Sequence, residues 1–292
     1  MKIGLVPVNV GVSNVEGLVN LAKKAEAVGV ESLWTFEHVI VPVEYQSKYP
    51  YSPDGKMGTT PETNFVDPLI ALTTIAAHTS SVRLGTGVNI LPQTNPLYLA
   101  KQAASIDFAS NGRMMLGVGI GWLKEEFEAN GVPFERRGAR FDDYVEAMKK
   151  VWSGDVVEHD SEFLQWSGFK SHPLPVQQSG GSPAVPVVIG GTKGKAFERI
   201  AKHGDGWFAP VANVNQLEPL LAPFADACGK GGRDPESGEV STMWIPAAEG
   251  VDSAKRYADL GVSRLIVPLP ALGGPPLEAL DRFADEVVAK VG

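Results

Sequence analysis

Eight times over, the chain alternates a short, almost wholly apolar segment with a stretch whose apolar residues recur at helical spacing. Few folds accept that pattern. Segments apolar along their whole length are buried on both faces, as strands of a parallel sheet are when helices cover it. Parallel neighbours need a crossover connection, and the intervening amphipathic stretches supply one. The strand candidates are IGLVPV (3–8), SLWTFEH (32–38), VRLGTGVNI (82–90), MMLGVGIG (114–121), VPVVIGG (185–191), GWFAP (206–210), STMWIPA (241–247) and RLIVPLP (264–270). In the first helix, Leu18, Leu21, Ala22, Ala25 and Val28 share one face. Further helices are read at 68–78, 96–109, 123–129, 140–152, 193–202, 214–227, 252–260 and 276–290.

Eight such units in 292 residues fit a (β/α)8 TIM barrel forming a single domain over 1–292. The other arrangement open to this alternation is a doubly wound sheet, which carries a phosphate-binding glycine signature after its first strand. The first strand here ends in VPVNVGVSN, which has none. Two stretches break the rhythm and are read as insertions after strands 2 and 4. Val39–Phe65 is rich in proline, tyrosine and glycine, and Ser153–Pro183 in proline and serine. Loops this long in a compact domain serve as lids or binding loops, or else are plain surface elaborations. The loop after strand 2 belongs by topology to the active-site rim.

A formal charge of -8 argues against a nucleic-acid surface, and no apolar run approaches the ~20 residues that cross a bilayer. The single cysteine, Cys228, cannot form an internal disulfide, and Met1–Val8 reads as a strand rather than a leader, so a cytoplasmic location is expected. The histidines at 38, 78, 159, 172 and 203 show no metal-ligand spacing. There is no G-x-S-x-G elbow and no Walker loop, and the lysines other than Lys2 fall in helices or loops rather than on strands. A chain short of nucleophiles draws its chemistry most simply from a bound cofactor.

Four strand ends point to where that cofactor would lie. Strand 2 ends in Glu37-His38, and an imidazole there could move a proton near neutral pH. Strand 3 carries Gly85 and Gly87 in its interior, where glycine is unfavourable unless a bulge or a close approach requires it. Strand 4 repeats the pattern, with Gly117, Gly119 and Gly121 on one face and Trp122 after them. Two adjacent strands without side chains leave room for a planar ligand, or for a large neighbour. Strand 5 runs into Gly190-Gly191-Thr192 with Lys193 and Lys195 at a helix start, which is either an anion site or a plain turn with an N-cap.

The segments SLWTFEHV, VRLGTGVNILP, LAKQAASIDFASNGRMMLGVGIGW, LKEEFEANGVPFERRGARFDDYVEAMKKVW and VVIGGTKGKAFERIAKHGDGW, in that order, resemble the luciferase-like monooxygenase superfamily. Within it they are most similar to the actinobacterial branch of coenzyme F420-dependent oxidoreductases. The resemblance implies a luciferase-like TIM barrel acting as a homodimer, with F420, or alternatively FMN, at the C-terminal mouth of the strands. It implies a non-proline cis peptide at Gly87–Val88 within a bulge of strand 3, flanked by Thr86 and Asn89. Cofactor contacts are then expected from Glu37, Thr86, Gly87, Val88, Asn89, Gly119, Ile120, Gly121, Gly190, Gly191, Thr192 and Lys193, and substrate-pocket walls from Trp34 and Trp122.

His38 matches the acid/base histidine of F420-dependent sugar-phosphate dehydrogenases. Two positions depart from those enzymes: Trp122 stands where they carry a glutamate, and Glu37 where they carry an aspartate. The resemblance therefore implies an apolar or aromatic substrate rather than a sugar phosphate. The first reading is hydride transfer between F420 and a small organic substrate, with His38 as proton donor or acceptor. The alternative is a reduced-FMN monooxygenase fed by a separate flavin reductase; a non-catalytic carrier and an NAD(P)-using reductase are weaker rivals.

Overall fold

The computed structural model describes residues 1–291, and they form a closed ring of eight parallel strands. The strands are β1 (Lys2–Val6), β2 (Ser32–Thr35), β3 (Arg83–Thr86, resuming as Asn89–Ile90), β4 (Met114–Gly119), β5 (Val187–Gly190), β6 (Gly206–Ala209), β7 (Glu239–Met243) and β8 (Arg264–Pro268). Each pairs with the next, and β8 pairs with β1 to close the barrel.

Around the ring run α1 (Val15–Ala27), α2 (Pro68–His78), α3 (Pro96–Ser110), α4 (Lys124–Ala129), α5 (Arg137–Trp152), α6 (Ala196–His203), α7 (Val214–Lys230), α8 (Pro246–Glu249), α9 (Ser253–Asp259) and α10 (Pro276–Phe283). The first three start where short polar side chains accept the free amides: Asn14 from Gly17, Asp67 from Leu69 and Ile70, and Asn95 from Leu97 and Tyr98. Pro68 and Pro96 sit at first helical positions, where no amide proton is needed.

Alternation along each strand sorts its side chains into two cores. Outward-facing Leu33, Leu84, Leu116, Val118, Val187, Ile189, Trp207 and Leu265 pack beneath the helices. Inward-facing Val6, Trp34, Met115, Val188, Phe208 and Ile266 fill the lumen. At the N-terminal end of the ring, buried Arg264 closes the barrel with two hydrogen bonds of 2.8 Å to Glu31 and one of 2.9 Å to Glu239, beneath the Trp34 ring. Burial alone would raise the Glu239 pKa, but Arg264 and Lys2 outweigh it and hold it at about 2.

Several boundaries differ from the expected ones. The second strand ends at Thr35 rather than His38, and the third breaks after Thr86. Gly85 pairs with Met115 and Asn89 with Val118, so four steps on β3 match three on β4 and one residue bulges out. The break contains the cis peptide Gly87–Val88. α6 begins only at Ala196, because Gly191 and Gly194 adopt positive φ. The last helix passes through a π turn at Ala284–Val288.

The two insertions lie at opposite ends of the barrel. Val39–Phe65 has no regular structure and covers the C-terminal mouth. Ser153–Pro183, read as either a lid or binding loop or a surface elaboration, folds as two small hairpins, Val157–Asp160 with Gln165–Phe169 and Gln178–Ser179 with Ser182–Pro183. Its Gln177 bonds Arg83 and Met114, the first residues of β3 and β4, and its Ser179 bonds Asp205 just before β6. It follows a helix rather than a strand, and helix-to-strand connections emerge at the face opposite the site. No helix among the described residues is long and apolar enough to cross a membrane.

Candidate active site

At the C-terminal ends of β3 to β6 opens a cavity of about 340 Å³. Its floor and walls come from Gly87, Val88, Ile90, Gly119, Ile120, Gly121 and Phe208, largely main chain and apolar side chains. The glycines make this surface in a way the sequence pattern did not specify. A Cβ on Gly85 would collide with the Trp34 indole, and one on Gly117 with the Thr86 carbonyl oxygen. Those two positions are therefore empty to accommodate the protein itself. Gly119 and Gly190 accept the Val88 side chain, at 2.6 and 3.0 Å from their would-be Cβ atoms. Gly121, at φ +76°, lies against Ile90 and Phe127. The bulge thus pushes Val88 toward β4 and β5, and the cavity floor is the bulge itself with the strand ends beside it.

One end of the cavity is polar and cationic. Gly190, Gly191, Thr192 and Lys193 line it, and Arg137 and Arg199 reach it from α5 and α6. The amides of Thr192, Lys193, Gly194 and Lys195 find no acceptor among the described residues. Arg199 is paired with Asp142 at 2.9 Å, whereas Arg137 and Lys193 have no acidic partner among the described residues. Arg137 stacks on Phe134 at 3.7 Å and donates to the Gly121 carbonyl at 3.2 Å. Burial lowers its pKa, and the neighbouring Arg199 charge lowers it further. A desolvated cation beside free amides at a turn is the chemistry of an anion site.

At the mouth, His38 stands beside Trp122, with ring centroids 6.1 Å apart, and edge-on to Phe65 at 5.5 Å. Its Nδ1 lies 2.9 Å from Oε2 of Glu126, a buried carboxylate on α4, while Nε2 has no partner among the described residues. Tyr45 and Tyr49 of the insertion pack against Trp122 at 5.7 and 5.1 Å, and Tyr51 continues the cluster onto the cavity wall. α4 fastens the first part of this covering at two points. Glu126 accepts the Val39 amide at 2.6 Å, and Glu125 accepts the Gln46 amide at 2.6 Å and the Ser47 hydroxyl at 2.7 Å.

The structure brings together Gly87, Val88, Gly119, Ile120, Gly121, Trp122, Gly190, Gly191, Thr192 and Lys193 around one cavity. Four other expected contacts lie elsewhere. Trp34 is fully buried in the lumen, its indole nitrogen donating to Ser32 at 2.9 Å, and is a floor plug rather than a pocket wall. Thr86 is buried and donates to the Gly117 carbonyl at 2.7 Å. Asn89 donates to Glu37 at 2.5 Å, and Glu37 also accepts the Ile90 amide, so both hold the bulge from behind. Burial, together with the Glu126 and Asp67 charges, raises the Glu37 pKa to about 7 against the pull of those two donors. His38 stands at the rim and does not line the cavity.

Sequence reasoning missed Glu126, Arg137, Arg199 and Phe208. For Arg199 a signal was Gly138, whose missing side chain leaves space for its guanidinium.

A barrel with this bulge, glycine turn and aromatic mouth matches a known family model, described as luciferase-like monooxygenase, over residues 6–270. The chain belongs to the luciferase-like monooxygenase family. An uncharacterised protein of Mycobacterium tuberculosis (strain ATCC 25618 / H37Rv) is 34% identical over 284 residues, covering 93% of this chain and 94% of that protein. Two further relatives of this luciferase-like chain have stated cofactors. The oxygenase component of a flavin-dependent trigonelline monooxygenase of Acinetobacter baylyi is 28% identical over 73% of the chain and 54% of its own length. An F420-dependent hydroxymycolic acid dehydrogenase of M. tuberculosis is 26% identical over 83% of the chain and 62% of its own length.

Among solved structures, an F420-dependent secondary alcohol dehydrogenase shares the fold, with a TM-score of 0.79 at 15% identity over 100% of this chain and 99% of that one. The cavity fits a cofactor of this kind. A floor of main chain and apolar side chains suits a tricyclic ring, and free amides with Arg137 and Lys193 suit an anionic tail.

Proposed function

We propose that this luciferase-like protein is an F420-dependent oxidoreductase that moves a hydride between the deazaflavin and a small, largely apolar organic substrate, with His38 giving or taking the accompanying proton. The observation that carries this reading is the His38–Glu126 pair at an aromatic mouth beside a cavity with an anion-binding end. When bound, the deazaflavin supplies a two-electron carrier that releases or accepts hydride.

The protein does the rest. Gly87, Val88, Ile90, Ile120 and Phe208 offer the ring a face, while Gly191, Thr192, Lys193 and Arg137 receive the tail. Trp122, Tyr45 and Tyr49 keep water from the mouth. Orientation and proton management are what such a transfer asks of its protein. The cations line the tail end and the mouth near His38 is aromatic, which supports an apolar substrate over a phosphorylated one.

The flavin-dependent relative favours a second reading, a reduced-FMN monooxygenase supplied by a separate reductase. Parallel titration of the protein with F420 and FMN tests both. Micromolar F420 binding without FMN binding is the expected result, and the reverse rejects the first reading. In the same titration Arg137→Ala should raise the F420 Kd by about 10-fold or more, the loss of a charge-assisted bond, and exposed Lys193→Ala should do less. The protein is also proposed to act as a homodimer. Exposed Ile70, Tyr98 and Phe108 on α2 and α3 support that reading, and a monomeric mass at every concentration in sedimentation equilibrium would reject it.

A further inference from the structure

We propose that Glu126 is a positioning residue: its carboxylate holds the proton of neutral His38 on Nδ1 and leaves Nε2 as the nitrogen presented at the mouth. This rests on the reading of His38 as the proton-handling group. Glu126 is 2% exposed, and among the described residues its only ion-pair partner is His38, with no lysine or arginine beside it. Its Oε2 lies 2.9 Å from Nδ1, and its Oε1 accepts the Val39 amide at 2.6 Å and, more weakly, the Ile40 amide at 3.5 Å. An ionised carboxylate can only accept hydrogen bonds, so the imidazole nitrogen facing it must donate. With Nδ1 as the donor, the neutral ring carries its lone pair on Nε2.

The carboxylate comes from α4 and the imidazole from the chain after β2, so the pair fixes one element against the other. The ring plane is held on two sides by the edges of Phe65 and Trp122, at 89° and 84°. Neither can ionise. Glu37, next to His38 in the chain, feels the Glu126 charge and that of Asp67 at the start of α2, and Tyr45 and Tyr49 reach His38 only through Trp122. Glu125, the next residue on α4, bonds Gln46 and Ser47 and does not touch His38. Two adjacent carboxylates thus divide the work, one on the histidine and one on the loop at Gln46 and Ser47.

The test reads His38 directly in long-range ¹H–¹⁵N spectra of the full chain above the histidine titration range, its signals assigned by their loss in His38→Asn. The wild type should show the Nδ1–H tautomer. In Glu126→Gln, the amide must donate with its nitrogen when its oxygen holds Val39, so the proton should move to Nε2. Glu126→Asp, which withdraws the carboxylate by one methylene, should give a mixture, and Glu125→Gln should keep the wild-type tautomer. An unchanged tautomer in Glu126→Gln or Glu126→Asp overturns the proposal, as does a switch in Glu125→Gln. The spectra need no cofactor, so failure of F420 to bind would reject the proposed function while leaving this result to stand alone.

Discussion

A Cβ on Gly117 would overlap the carbonyl oxygen of Thr86, which is main chain and cannot swing aside. Gly117→Ala should therefore lower stability by about 3 kcal/mol or more, the upper range for overpacking, in urea unfolding. The barrel would have to spread β3 from β4 to admit one methyl group. Glu37 makes the opposite point, since its effect depends on charge rather than volume. Its pKa rises from 4.5 unfolded to about 7 folded, so the folded state binds the proton more tightly. The stability this contributes is fully present below about pH 4.5 and is lost as pH rises through about 7. In Glu37→Gln that dependence should vanish: the wild-type-minus-variant difference in Tm should fall between pH 5 and pH 7.5. A flat difference would mean that Glu37 is solvated.

The loop over Val39–Phe65 has no helix or strand of its own, and its placement depends on α4. Three bonds from Glu125 fix Gln46 and Ser47. Glu125→Ala should shorten the proteolytic half-life of this loop by about tenfold, on the scale of one or two lost hydrogen bonds, with the barrel left intact. Strand and helix identities were legible in the sequence because burial on two faces writes an unbroken apolar run. The glycine turn before α6 was legible from its spacing, but the spacing leaves open whether it serves an anion or only turns the chain. The lid's fastening was not legible: a carboxylate that accepts amides 78 or more residues away leaves no periodic trace. Trp34 was misplaced for a related reason. Strand alternation says that it points inward, but only packing shows that Gly85 makes space for its ring deep in the lumen. The place of the Ser153–Pro183 segment was likewise not legible, because length marks an insertion without saying which end of the barrel it caps.

Across the whole barrel, charge closes one end and the candidate site opens at the other. Arg264 holds Glu31 and Glu239 across β8 and β7, and both carboxylates have pKa values below the ordinary 4.5 although burial pushes the other way. That stability is present above about pH 4.5 and lost as pH falls through the folded values, about 2 for Glu239. Arg264→Met should cost about 3–5 kcal/mol at pH 7, because Glu31 loses its ion-pair partner and Glu239 keeps only Lys2. The deficit should shrink when urea midpoints are compared at pH 3, where those acids take up protons. A constant deficit would assign the loss to packing instead. Above this closure Trp34, Met115 and Phe208 fill the lumen between it and the candidate site. Under the proposed function, a carrier lying on the bulge and the molecule it reacts with would then have to come and go through the same C-terminal mouth.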